Sequence, residues 1–215
     1  MKHFTVLVIA ALIAVGPSAV AVPVSANHTG FVPVEALRQG RYVILFRHTT
    51  VLPVTQVTQD SSPLDLKNCG AQIPLSDVGR EDARRIGRAF RFLAIPVGGV
   101  LSSPFCRTME TGLLAFGRAE PWEALLHPAY VPIAGAPVPA PPEKRVEAIV
   151  QMFRTAPRGG NTVLITHGEV IRAAAGFAMM QGEAAIYRTD GRGGHLLIAR
   201  VMPMAWGEAA GEPTP

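Results

Sequence analysis

The stretch RYVILFRHTT, residues 41–50, decides the reading of this chain. Tyr42 to Phe46 is an apolar, β-favouring run of the kind a buried strand needs. It stops abruptly at Arg47-His48. Ligands of open α/β sheets bind just beyond the carboxyl ends of strands. A guanidinium and an imidazole in that position therefore mark either the point where the strand surfaces or the start of a site.

Working outward, Thr49 to Pro74 has no sustained period and is rich in Thr, Ser, Asp, Pro and Gln. It reads as a long loop, and loops of that length in compact domains are usually functional. LSDVGREDARRIGRAFRFL follows as an amphipathic helix, with Ser76 as N-cap and Ala83, Ile86, Phe90 and Leu93 at helical spacing. GGVLSS (98–103) is a short strand. PFCRTMETGLLAF is a second helix, with Pro104 suited to its first turn. A third short strand is expected near Leu125, and a proline-rich loop spans 131–142. EKRVEAIVQMF is a third helix, NTVLITHGE a strand running into a turn, and VIRAAAGFAMMQG a buried fourth helix ending at Gly182. EAAIY and HLLIARVM close the chain as strands, with the geometry of a hairpin. Strands alternating with helices define an α/β class with a largely parallel sheet, to which the last two strands add an antiparallel edge.

Three strands in this reading end in chemistry. The first delivers Arg47 and His48. GVLSS runs into Pro104-Phe105-Cys106-Arg107, and TVLIT ends in His167. Any one of these has a bland explanation as a capping or surface residue; three together point to one pocket. At these residues the chain resembles the histidine phosphatase superfamily, of phosphoglycerate-mutase-like fold. Arg47-His48 resembles the family's Arg-His-Gly signature, with Thr49 where glycine usually stands. LSDVGREDARRIG, SSPFCRTMETG and VLITHGEVIRA are similar to its later segments, in order, over residues 41–202. The resemblance implies a three-layer sandwich with a mostly parallel central sheet flanked by helices.

It also implies a mechanism that the residue chemistry accommodates. His48 attacks phosphorus and forms a phosphohistidine that water hydrolyses. Arg47, Arg107 and His167 stabilise the phosphoryl oxygens. The attacking nitrogen must be unprotonated, so the other ring nitrogen needs an acceptor, for which a loop carbonyl is suitable. The leaving alcohol needs a proton from a carboxylic acid. Glu169, two residues past His167 as in the His-Ala-Glu arrangement of phytase-like relatives, is the first candidate; Glu123 and Glu183 follow. No metal and no cofactor are expected, because no His/Cys/Asp cluster has ligand spacing. The expected substrate is a small phosphorylated molecule. A threonine at position 49 either crowds the phosphate or offers it a hydroxyl. The fold without turnover, as a phosphate-ligand binding protein of the cell envelope, is the competing reading.

Composition and the N-terminus set the context. The chain has 215 residues, 48% hydrophobic and 17% charged, which suits one domain with ragged ends. Basic residues exceed acidic ones by only 20 to 16 and are scattered, so nucleic acid is not an expected partner. The surplus is nearly all arginine, whose planar fork grips phosphate or carboxylate. Met1-Lys2-His3, the 12-residue apolar core Phe4–Val15, the Gly16-Pro17 break and two small-x-small sites read as a secretory signal over 1–26. The apolar core is short for a bilayer span, so no membrane span is expected after cleavage. Residues 27–40 read as a linker, 41–205 as the domain and 206–215 as a tail. Export, periplasmic or secreted, makes the only two cysteines, Cys69 and Cys106, a disulfide candidate, with two buried thiols as the alternative. The oligomeric state is not legible.

Overall fold

The apolar run of the first strand is buried on both sides, because it lies inside a six-stranded sheet. The computed structural model describes residues 31–53 and 64–212. The signal segment and the first residues of the linker lie outside them. In chain order the described elements are α1 (Val34–Arg38), β1 (Val43–Arg47), α2 (Asp77–Phe92), β2 (Val97–Ser102), α3 (Cys106–Phe116), β3 (Glu120–Pro121), α4 (Pro142–Arg154), β4 (Asn161–Thr166), α5 (Gly168–Ala175), β5 (Ala184–Thr189), β6 (His195–Val201) and α6 (Pro203–Ala209). The strand order is β3-β2-β4-β1-β5-β6. The first four strands in that order run parallel, and β5 and β6 are antiparallel. The mixed sheet with its antiparallel edge is the architecture expected from the sequence.

Side-chain alternation along β1 builds two cores. Ile44 and Phe46 point into one, with Ile86 and Phe90 of α2, Ala115 of α3 and Trp206 of α6. Val43 and Leu45 point into the other, with Ile149 and Phe153 of α4 and Val170 and Ile171 of α5. The molecule is therefore helices, sheet, helices in three layers. Ser76 caps α2 as expected: its Oγ accepts from Gly79 N at 3.1 Å and donates to the Thr50 carbonyl at 3.1 Å, tying the helix start to the loop after β1.

Several boundaries differ from expectation. The third strand is only Glu120–Pro121, and a 3₁₀ turn, Glu123–Leu125, follows it. Pro104 precedes the N-cap Phe105 and so lies outside α3. The fourth helix stops at Ala175, not near Gly182, because Gly176 takes a left-handed conformation (φ 81°) and ends it with an N–H bonded back to the Arg172 carbonyl. The segment read as a linker, 27–40, carries a short helix in its described part. Val34–Arg38 is helical, Leu37 is fully buried, and Asn161 Nδ2 donates to the Leu37 carbonyl at 2.7 Å. The segment read as a tail, 206–215, begins inside a packed helix. Trp206 is completely buried, its ring 4.7 Å from that of Phe90. Pro203 at the first turn starts the helix that carries it.

Candidate active site

The carboxyl ends of β1, β2 and β4 lie side by side, and the three chemical deliveries meet there. Arg47 closes β1 opposite Thr166 of β4. A Cβ on Gly168 would lie 3.3 Å from Arg47 Cζ, so the guanidinium rests against the first turn of α5. Its Nη1 donates to the Met179 carbonyl at 2.8 Å, while Nε is buried without a hydrogen-bond partner among the described residues. A buried guanidinium N–H left unpaired costs free energy unless an acceptor arrives.

His48, the next residue, is 5% exposed. Its Nδ1 lies 2.9 Å from the Thr49 carbonyl, which accepts only, so Nδ1 carries the proton and Nε2 the lone pair. Burial lowers its pKa to about 3; Arg107 and Arg47 push the same way, and the Thr49 carbonyl only partly opposes them. The imidazole is neutral across the physiological range, with a loop carbonyl fixing its tautomer.

His167 ends β4, its ring 5.6 Å from that of His48. Its Nδ1 is 3.1 Å from Nη2 of Arg107, a group that only donates. Nδ1 is therefore the acceptor, and Nε2–H donates to Ser103 Oγ at 2.8 Å. Burial, then Arg107, hold its pKa well below the ordinary value. Both ring nitrogens are engaged, so in this arrangement His167 steers Arg107 and offers no free N–H of its own.

Arg107 enters from the first turn of α3, its guanidinium 4.8 Å from the Phe105 ring centroid. Burial and the nearby Arg47, opposed by Glu169, pull its pKa to about 10, which leaves it charged at neutral pH. The turn that carries it is anchored twice. Cys106 is disulfide-bonded to Cys69, with a Cα separation of 5.6 Å, so the cysteines are paired and not free thiols. Gln72 Oε1 accepts from Cys106 N at 2.8 Å.

Thr49 neither crowds the pocket nor faces it. The residue is fully buried, and its N–H and Oγ1 reach Thr111 Oγ1 at 3.3 and 3.2 Å. Thr111 Oγ1 in turn donates to the Arg107 carbonyl at 2.8 Å. Thr49 thus ties the loop after β1 to the helix of Arg107.

The three carboxylates separate clearly. Glu183 is fully buried, accepts from Arg200 Nε at 2.6 Å and from Met180 N at 2.7 Å, and so pins the turn before β5. Glu123 accepts from Ala140 N and holds the proline-rich loop. Both carboxylates are engaged in these structural contacts. Glu169, in the first turn of α5, has a side chain 57% exposed, and its charge is felt at His48, Arg107 and His127.

The residue that sequence reasoning missed is His127. It follows the 3₁₀ turn, its ring 5.3 Å from His167 and its Nε2 3.2 Å from Glu169 Oε2. The signal was present: like Arg107, it lies shortly after a strand of the parallel set. Among the described residues no group of three His, Cys, Asp or Glu side chains is placed to hold a metal ion.

Comparison with solved structures identifies the fold. The chain has the histidine phosphatase, phosphoglycerate-mutase-like fold. It matches the product of open reading frame Rv3214 from Mycobacterium tuberculosis at TM-score 0.53 and 17% identity, covering 75% of this chain and 97% of that one. It matches the protein histidine phosphatase SixA complexed with tungstate at TM-score 0.52 and 17% identity, covering 76% and 97%. A phosphoserine phosphatase from Entamoeba histolytica matches at TM-score 0.53 and 12% identity, covering 76% and 98%. No protein-family model and no curated protein matches the sequence.

Proposed function

We propose that the chain is an exported phosphomonoesterase working through a phosphohistidine on His48. The observation that carries this reading is the state of His48. It is buried, neutral and held by the Thr49 carbonyl with its Nε2 lone pair available, beside two arginines. A nucleophilic imidazole needs that protonation state, and a phosphoryl group needs those cations.

In the proposed cycle the substrate phosphate lies between Arg47, whose buried Nε lacks a partner among the described residues, and Arg107. His48 Nε2 bonds to phosphorus as the P–O bond to the leaving alcohol breaks, and the carboxylic acid form of Glu169 gives that alcohol its proton. Water then attacks the phosphohistidine, the N–P bond breaks, and the Glu169 carboxylate takes the proton from water. His167 acts in the phosphate site by holding Arg107. Structural neighbours that include a phosphoserine phosphatase and a tungstate-bound phosphatase agree with an oxyanion-binding pocket of this kind.

Export rests on the signal-like segment over 1–26 and is consistent with the Cys69–Cys106 bridge. Among the described residues no helix is long and apolar enough to cross a membrane. The test is hydrolysis of p-nitrophenyl phosphate by the purified chain across the acidic and neutral range, with acid-labile phosphate trapped on the protein. Turnover and a trapped phosphohistidine that both vanish in His48→Ala are expected. Phosphate binding with no turnover at any pH overturns the reading and leaves a binding protein.

A further inference from the structure

Two successive backbone carbonyls lead up to His127, each fixed from a different element, and a backbone N–H just after it fixes its ring. Thr166 Oγ1, at the end of β4, donates to the Leu125 carbonyl at 2.7 Å. Arg145 of α4, only 6% exposed, donates through Nη1 to the Leu126 carbonyl at 2.9 Å. Ala129 N then donates to His127 Nδ1 at 3.1 Å. A backbone N–H only donates, so Nδ1 must be the lone-pair nitrogen and Nε2 must carry the proton. That proton faces Glu169 Oε2 at 3.2 Å. Protonating Nδ1 would set two donors against each other. Burial also disfavours the imidazolium, with Glu169 opposing and Arg107 reinforcing that effect. His127 is thus built as a neutral, oriented N–H donor aimed at one oxygen of one carboxylate.

We infer that His127 positions Glu169 for proton transfer, holding Oε2 so that Oε1 faces the oxygen of the leaving alcohol and later the attacking water. The inference rests on the proposed function above and adds a positioning residue to it. The carboxylate needs such a partner, because a glutamate on an exposed first turn has several rotamers and general-acid catalysis requires one. The charged and titratable groups that face Glu169 are His127 from the segment after β3, Arg47 and His48 from the end of β1, and Arg107 from α3. Burial works to raise the Glu169 carboxyl. Its own backbone N–H, His127 and Arg47 outweigh that and hold it below the usual carboxylate range.

Removing His127 therefore has a signature that mere loosening of the pocket lacks. The Glu169 midpoint rises, so the acid form persists to higher pH while the maximum rate on alkyl phosphates falls. The experiment is a ¹³C NMR titration of the Glu169 carboxyl in the wild type, His127→Ala and His127→Gln, paired with turnover of an alkyl and an aryl phosphate. An upward midpoint shift is expected in His127→Ala, with partial return in His127→Gln, whose amide restores a donor. The aryl-to-alkyl rate ratio should grow about tenfold in His127→Ala, a fraction of the general-acid contribution. An unchanged or lowered midpoint overturns the inference even if phosphatase activity is present. A wild type that turns over neither ester sinks the proposed function separately, because the carboxyl titration reads the His127–Glu169 pair without catalysis.

Discussion

The ends of β1 and β4 look alike and are wired oppositely. Each strand is a buried apolar run that stops at a histidine, and the two rings sit 5.6 Å apart. At His48 the backbone takes the Nδ1 proton and leaves Nε2 without a partner among the described residues. At His167 both nitrogens are spent, one on Arg107 and one on Ser103. Burial makes both imidazoles neutral. What separates a candidate nucleophile from a positioning group is therefore the neighbour on the second nitrogen, a difference invisible in the residue type.

The sharpest way to break this contrast is to replace each histidine with asparagine. His48→Asn should abolish turnover by about a thousandfold or more, the scale of losing a catalytic nucleophile. His167→Asn keeps an acceptor for Arg107 and should lose far less. Equal losses in steady-state kinetics would erase the distinction. Next in size, Arg107→Gln should cost about 2–4 kcal/mol of transition-state stabilisation, the loss of one preorganised donor, read as a fall in kcat/KM.

The shared neutrality of the pair predicts a common effect on stability. Both folded-state pKa values are depressed below 6.5, that of His48 to about 3. Below about 6.5 the unfolded chain binds protons that the folded chain refuses, so stability falls with decreasing pH through that window, by up to about 1.4 kcal/mol per unit for each histidine. Urea midpoints in the His48→Asn variant should show a shallower acid slope than wild type; an unchanged slope would mean that His48 is charged in the fold. Smallest of all, Thr49→Gly should leave kcat nearly unchanged and cost about 1–2 kcal/mol in urea denaturation, from a lost buried hydrogen bond and added chain entropy. A large rise in kcat would mean that Thr49 obstructs the phosphate after all.

Much of this was legible in sequence for a definite reason. A strand buried on both faces cannot hide its pattern, so β1, β4 and the chemistry at their ends stand out, as does Arg107 through the helix signal that follows it. Partners distant in the chain do not show. Glu183 reads as a candidate acid until Arg200, 17 residues on, is seen to neutralise it. His127 sits in a stretch with no period, between a 3₁₀ turn and a proline, so nothing local marks which way it faces. Trp206 reads as part of a tail, although Pro203 at a first turn is a readable helix start. Gly176 is a readable stop that the apolar residues after it obscure.

The bridge between Cys69 and Cys106 encloses 37 residues of sequence separation, including all of α2 and β2. That segment is a closed covalent ring, and the rest of the chain leaves it as two arms. A single proteolytic cut inside the ring would not divide the molecule. The arm bearing β1 and His48 would stay attached to the arm bearing Arg107, β4 and His167, and the two would part only under reductant. In a protease-rich setting, both halves of the candidate site would thus survive a nick that would separate them in an unbridged chain.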